Sequence, residues 1–105
     1  MEFEGLVKAA FDEVVSMVIR EVVRETVERF KRAVLSVRDG GYKGGELAFV
    51  LGYASGIREV VKGWVDHADE EVKREFIGYS RLLDSLRRRS EEELGLGVVG
   101  VGQGG

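Results

Sequence analysis

One punctuation mark dominates this chain. Apolar residues recur at the three-and-four spacing of an α-helix from residue 2 to residue 38, stop at Asp39-Gly40-Gly41-Tyr42-Lys43-Gly44-Gly45, and resume to residue 89. Two glycine pairs so close together supply left-handed backbone positions that end one helix and reverse the chain. The pattern predicts an all-α fold: a helix over residues 2–38, a glycine-rich turn over residues 39–45, and a second helical segment over residues 46–89. That segment carries a candidate break at residues 66–69, where Asp66 or Asp69 would cap a third helix. Unbroken, it is a long antiparallel helical hairpin whose second arm extends about 60 Å. So thin a rod exposes too much apolar surface alone and implies assembly into a larger helical oligomer. Broken, it makes a three-helix bundle that can stand as a monomer. Residues 1–93 form the helical domain on either reading, and residues 94–105 a Gly/Val-rich tail.

The first helix changes face along its length. Val7, Phe11, Val15, Val18 and Val22 form one stripe, and Val23, Val27, Phe30, Val34 and Val37 another, displaced by one residue. Around residues 14–23 the apolar side chains cover more than half the circumference, so this stretch is expected to meet more than one neighbour. Its valines lower intrinsic helicity, and packing must hold it. Glu21 with Arg24 and Glu28 with Arg32 stand at helical pair spacing, as on a solvated face.

The segment over residues 45–64 has two working sides. Leu47, Val50, Ala54, Ile57, Val61 and Trp64 make a core stripe that continues through Ala68, Val72, Phe76, Tyr79, Leu83 and Leu86. Gly45, Gly52, Gly56 and Gly63 fall on the opposite side with Ala48 nearby. Interior glycines cost about 0.8 to 1.0 kcal/mol each relative to alanine, so a partner that approaches closely is expected there. Ile19-Arg20-Glu21-Val22-Val23 also recurs as Ile57-Arg58-Glu59-Val60-Val61, either a duplicated helix or the coincidence of two valine-rich ones.

Catalytic constellations are absent from the pattern. With no cysteine, thiolate chemistry and disulfides are excluded, and the only histidine, His67, has Glu70 and Glu71 at helical spacing but reads as part of a solvated acidic turn. The glycine turn lacks a preceding strand and a GKS/T ending, and Glu46 stands where a phosphate would sit. No enzyme, cofactor, metal or small-molecule substrate is expected. Charged residues make up 33% of the chain at a net charge of -3, which argues against general nucleic-acid binding. No run reaches the roughly 18 to 20 apolar residues that span a bilayer, and the acidic start is unlike a signal peptide. The expected location is cytoplasmic, or the virion if the protein is viral. The lack of Asn, Cys and Pro alongside abundant Glu, Arg and Val points to a thermophilic source.

After Arg87-Arg88-Arg89, which suits a helix C-terminus, Ser90 and Glu93 form a capping-box pattern for a further turn. The tail then alternates apolar residues with glycine, a composition suited to docking on another chain. Two function classes follow. The first is a non-enzymatic, self-associating structural or scaffold protein of a thermophile or its virus, a coat, filament or oligomeric assembly subunit. Its contacts are expected through Ala48, Phe49, Gly52, Gly56, Val60 and Gly63, and through Leu96, Val98, Val99 and Val101 of the tail. The second rests on Leu47-Ala48-Phe49-Val50-Leu51 opening a helix after a glycine turn, which resembles part of the small α-helical subunit of type III CRISPR effector complexes. The resemblance implies a subunit of a nucleic-acid-handling complex, with Lys43, Arg58, Lys62, Arg81, Arg87, Arg88 and Arg89 as contacts to the nucleic-acid backbone.

Overall fold

A computed structural model of the protein describes residues 2–94. It holds three helices, α1 (Glu2–Asp39), α2 (Gly44–Lys62) and α3 (Glu70–Leu94), with a 3-10 turn at Val65–His67 between the last two. The described residues contain no strand. Pairs of contacts fix the directions: Arg58 meets Asp84 and Arg87 meets Ser55, so α2 and α3 run antiparallel, while Arg20 with Asp69 and Phe30 with Phe76 set α1 and α3 parallel. The result is an up-down-up three-helix bundle, so the continuous second arm of the hairpin alternative does not form.

The break falls where the backbone bonds shorten. Gly63 and Trp64 donate to the carbonyls of Val60 and Val61 (3.2 and 2.9 Å), and His67 and Ala68 donate three residues back in the same way (both 3.0 Å). Ala68 is then extended, and the carbonyl of Asp69 accepts the amide of Lys73 at 2.9 Å to start α3. Gly63 therefore closes α2 rather than extending the glycine strip. Trp64, expected in the core stripe, is 50% exposed, because the helical step that placed it there ends at Lys62.

At the other reversal Gly41 and Gly44 have positive φ (67° and 59°), the conformation L side chains avoid. Gly40 is needed for a different reason. The Tyr42 ring folds back over it and leaves no room for a Cβ. The Tyr42 hydroxyl reaches Ser36 Oγ at 3.4 Å.

The core lies at the bundle's three-helix contact. Val23, Val27, Phe30, Val34 and Val37 of α1 are all buried, against Ala54 and Val61 of α2 and Val72, Phe76, Leu83 and Leu86 of α3. The rings of Phe30 and Phe76 lie 5.4 Å apart at 52°. α3 runs past Arg89 to Leu94, so the three arginines do not end it. Ser90 stands four residues beyond Leu86 on the same face and is buried, so continuing the helix covers that face where a cap had been expected.

The earlier stripe of α1 behaves otherwise. All of residues 2–18 are exposed, Val15 the least of their large apolar side chains at 38%. Phe3 is 76% and Phe11 67% exposed, and Leu6, Val7, Val14, Met17 and Val18 are exposed with them. At 1.5 Å per residue this arm extends about 25 Å past the end of the bundle marked by the α2–α3 turn.

Candidate functional site

The uncovered arm leads into a groove. Phe11, Val15, Val18 and Val22 descend one face of α1 to a hollow of about 200 Å³ lined by Ile19, Val22, Val23 and Thr26 of α1, Val60 and Val61 of α2, and Trp64. The two copies of the recurring pentapeptide meet here. Val23 and Val61 are buried beneath the hollow while Val22 and Val60 stand exposed on its rims. Arg29, Ala33 and Ser36 continue the same face of α1 into a second cleft, of about 500 Å³, between that helix and Tyr42, Phe49 and Tyr53. Phe49 is 75% exposed.

The glycines lie beside this cleft. A Cβ added at Gly45, Gly52 or Gly56 would meet nothing within 4 Å, so packing within the chain does not require a bare strip there. Ala48, Gly52 and Ser55 of α2 border a further hollow that Arg87 and Ser90 complete on the α3 side. In the isolated chain Gly52→Ala and Gly56→Ala are each expected to add about 0.5 to 1 kcal/mol of stability, measured by thermal unfolding of dilute protein.

Charge is divided along α1. The arm carries Glu2, Glu4, Asp12 and Glu13 against Lys8, and among the described residues none of these side chains is ion-paired. Glu28, expected to pair with Arg32, meets Lys31 instead at 3.9 Å, and Lys31 also reaches Glu75 at 3.8 Å on α3. Arg29 and Arg32 thus line the cleft without a carboxylate partner among the described residues. The Glu21 and Arg24 pair does form.

The basic residues singled out for nucleic acid do not gather into one patch. Arg58 is 14% exposed, with Nη1 donating to Asp84 at 2.7 Å and to the Ser80 carbonyl at 3.5 Å. Lys62 pairs with Glu59 at 3.4 Å, and Arg87 donates to Ser55 at 3.4 Å. Lys43, Arg81, Arg88 and Arg89 are exposed; Arg81 and Arg88 share the outer face of α3, while Arg89 turns toward Arg38 and Tyr42.

A hydrogen bond from Arg58 holds the Asp84 carboxyl below its usual range, with further help from Arg87 and Arg88. A depressed folded-state pKa contributes stability that is present above the unfolded value and lost as pH falls through the folded one. Asp84→Asn is therefore expected to cost no more than about 1 kcal/mol at neutral pH, its carboxylate being 57% exposed. The difference between wild type and variant should shrink in denaturant titrations as pH falls from the ordinary carboxylate range through the lower folded-state value.

Among the described residues no three His, Cys, Asp or Glu side chains come together as metal ligands, and no helix is long and apolar enough to cross a membrane. Leu96, Val98, Val99 and Val101, expected to dock on another chain, lie outside the described residues. The arm's exposure and the unpaired Arg29 and Arg32 were not picked out in the sequence. The signal was present in the one-residue displacement of the two α1 stripes, which turns the first half of the helix away from the face that builds the core. No family model, curated protein or solved structure matches the chain. The likeness of residues 47–51 to the type III CRISPR small subunit stands on those residues alone.

Proposed function

We propose that this is a non-enzymatic, self-associating structural or scaffold protein, a coat, filament or oligomeric assembly subunit. One observation carries the reading: seventeen consecutive residues of α1, residues 2–18, are helical, carry Phe3, Leu6, Val7, Phe11, Val14, Met17 and Val18, and are exposed in their own chain. A monomeric soluble domain rarely exposes apolar patches beyond a few hundred Å², and a valine-rich helix without packing is marginal in water. A second apolar surface, Phe49, Tyr53 and Val60 of α2 with Trp64 just beyond it, supports the same conclusion, and Gly52 and Gly56 beside it admit a close neighbour. The Asn-free, Cys-free and Pro-free composition supports a thermophilic host or its virus as the setting.

The test is size in solution. A mass that is a multiple of 11.6 kDa is expected by sedimentation, and a species of 11.6 kDa at every concentration would refute the proposal. Gly52→Leu is expected to weaken assembly while leaving the helical circular dichroism unchanged. A nucleic-acid role through Lys43, Arg81, Arg88 and Arg89 instead requires binding to RNA or DNA that weakens steeply with salt.

A further inference from the structure

We propose that the partner on the arm is a second copy of this chain, and that the two copies exchange arms: residues 2–18 of each lie in the α1/α2 groove of the other. This rests on the self-association reading and adds its geometry.

Three observations support it. Arm and groove match in length, since the arm extends about 25 Å and the groove from Trp64 to Phe49 about 22 Å. They match in charge. The arm is acidic and without ion-pair partners among the described residues, while Arg29 and Arg32 line the groove in the same condition. They also match in register. Glu4, Val7, Phe11, Val15, Val18 and Val22 follow one face of α1 at three-and-four spacing, and the groove opens on that same face. An antiparallel pairing of two α1 helices that sets Glu4 opposite Arg32 has its two-fold axis at Val18. In that register Phe11 comes opposite residue 25, next to the hollow that Thr26, Val60 and Trp64 line. The contact is isologous, so it closes at two copies and leaves no arm unsatisfied. The exchange has to bury roughly the 800 Å² per partner of a standard interface, and it draws on the exposed Phe3, Leu6, Val7, Phe11 and Val18 of the arm.

Two features of the chain make the test direct. Trp64 is the only tryptophan, so its emission reports on the groove alone. Glu4 and Arg32 are both exposed, so reversing either leaves the bundle core untouched. In the full-length protein, Trp64 emission is expected to shift to shorter wavelength on raising the concentration, with the same midpoint as the rise in mass. Glu4→Arg or Arg32→Glu alone is expected to raise the dissociation constant about tenfold or more, and the two together in one chain to restore most of it. If mass rises while Trp64 emission stays constant, or if the combined variant is no tighter than either single one, arm exchange is overturned while self-association stands. A wild-type chain that remains monomeric throughout overturns both.

Discussion

Replacing Phe11 and Val18 together by Asp is expected to dissociate the assembly and to melt the arm, while the bundle of residues 23–94 stays folded. Both side chains are exposed in the single chain, so neither substitution touches the core. Burying a Phe and a Val in a partner contributes about 1.5 to 3 kcal/mol each. In a two-fold contact each site occurs twice, so the loss is on the order of 6 kcal/mol or more, over a thousandfold in the dissociation constant. The arm then has no packing to offset its valines, and helical signal from residues 2–18 should fall with the mass. Circular dichroism and sedimentation on the same samples check both outcomes. Unchanged mass would mean that the arm is not the contact.

The opposite pattern is expected for Phe30→Ala and Leu83→Ala. Both side chains are fully buried, Phe30 against Phe76 where α1 meets α3 and Leu83 on the inward face of α3. Truncations of this kind cost about 3 to 5 kcal/mol for Phe and 2 to 5 for Leu, a large part of the 5 to 15 kcal/mol that holds a typical domain together. Either variant should unfold at much lower denaturant, with wild type and variant compared at equal protein concentration because assembly also adds stability. Ile77→Ala, at a half-exposed position on α3, should change the midpoint far less.

The contrast between these two sets of residues was partly legible in the sequence. Val23, Val27, Phe30, Val34 and Val37 repeat at the helical step and are all buried, as are Val72, Phe76, Leu83 and Leu86, because a regular helix carries periodicity directly into facing. The glycine turn was legible because positive φ and the close approach of Tyr42 demand glycine there. Trp64 and Gly63 were misplaced for one shared reason. Periodicity assigns a face only while the helix continues, and α2 stops one residue before Gly63. The choice between hairpin and bundle was open because Asp66 and Asp69 can cap a helix or sit on the surface of one. Packing decides it: only the break lets Val72, Phe76, Leu83 and Leu86 return along α1. Ser90 shows the limit of local signals, since its capping-box pattern yields to the burial available on the face of Leu83 and Leu86. The first stripe of α1 predicted a contact correctly spaced for a helix, but spacing cannot say whether the contact lies within the chain or beyond it.

Amide hydrogen exchange of residues 2–18 in the wild-type chain, followed across protein concentration, tests most directly whether a second molecule covers the arm. Strong protection is expected at concentrations where the mass is that of the assembly, falling to near the unprotected rate on dilution, while the amides around Phe30 and Leu83 stay protected throughout. Arm amides that exchange freely in the concentrated protein, or that stay equally protected in a demonstrated monomer, would contradict it.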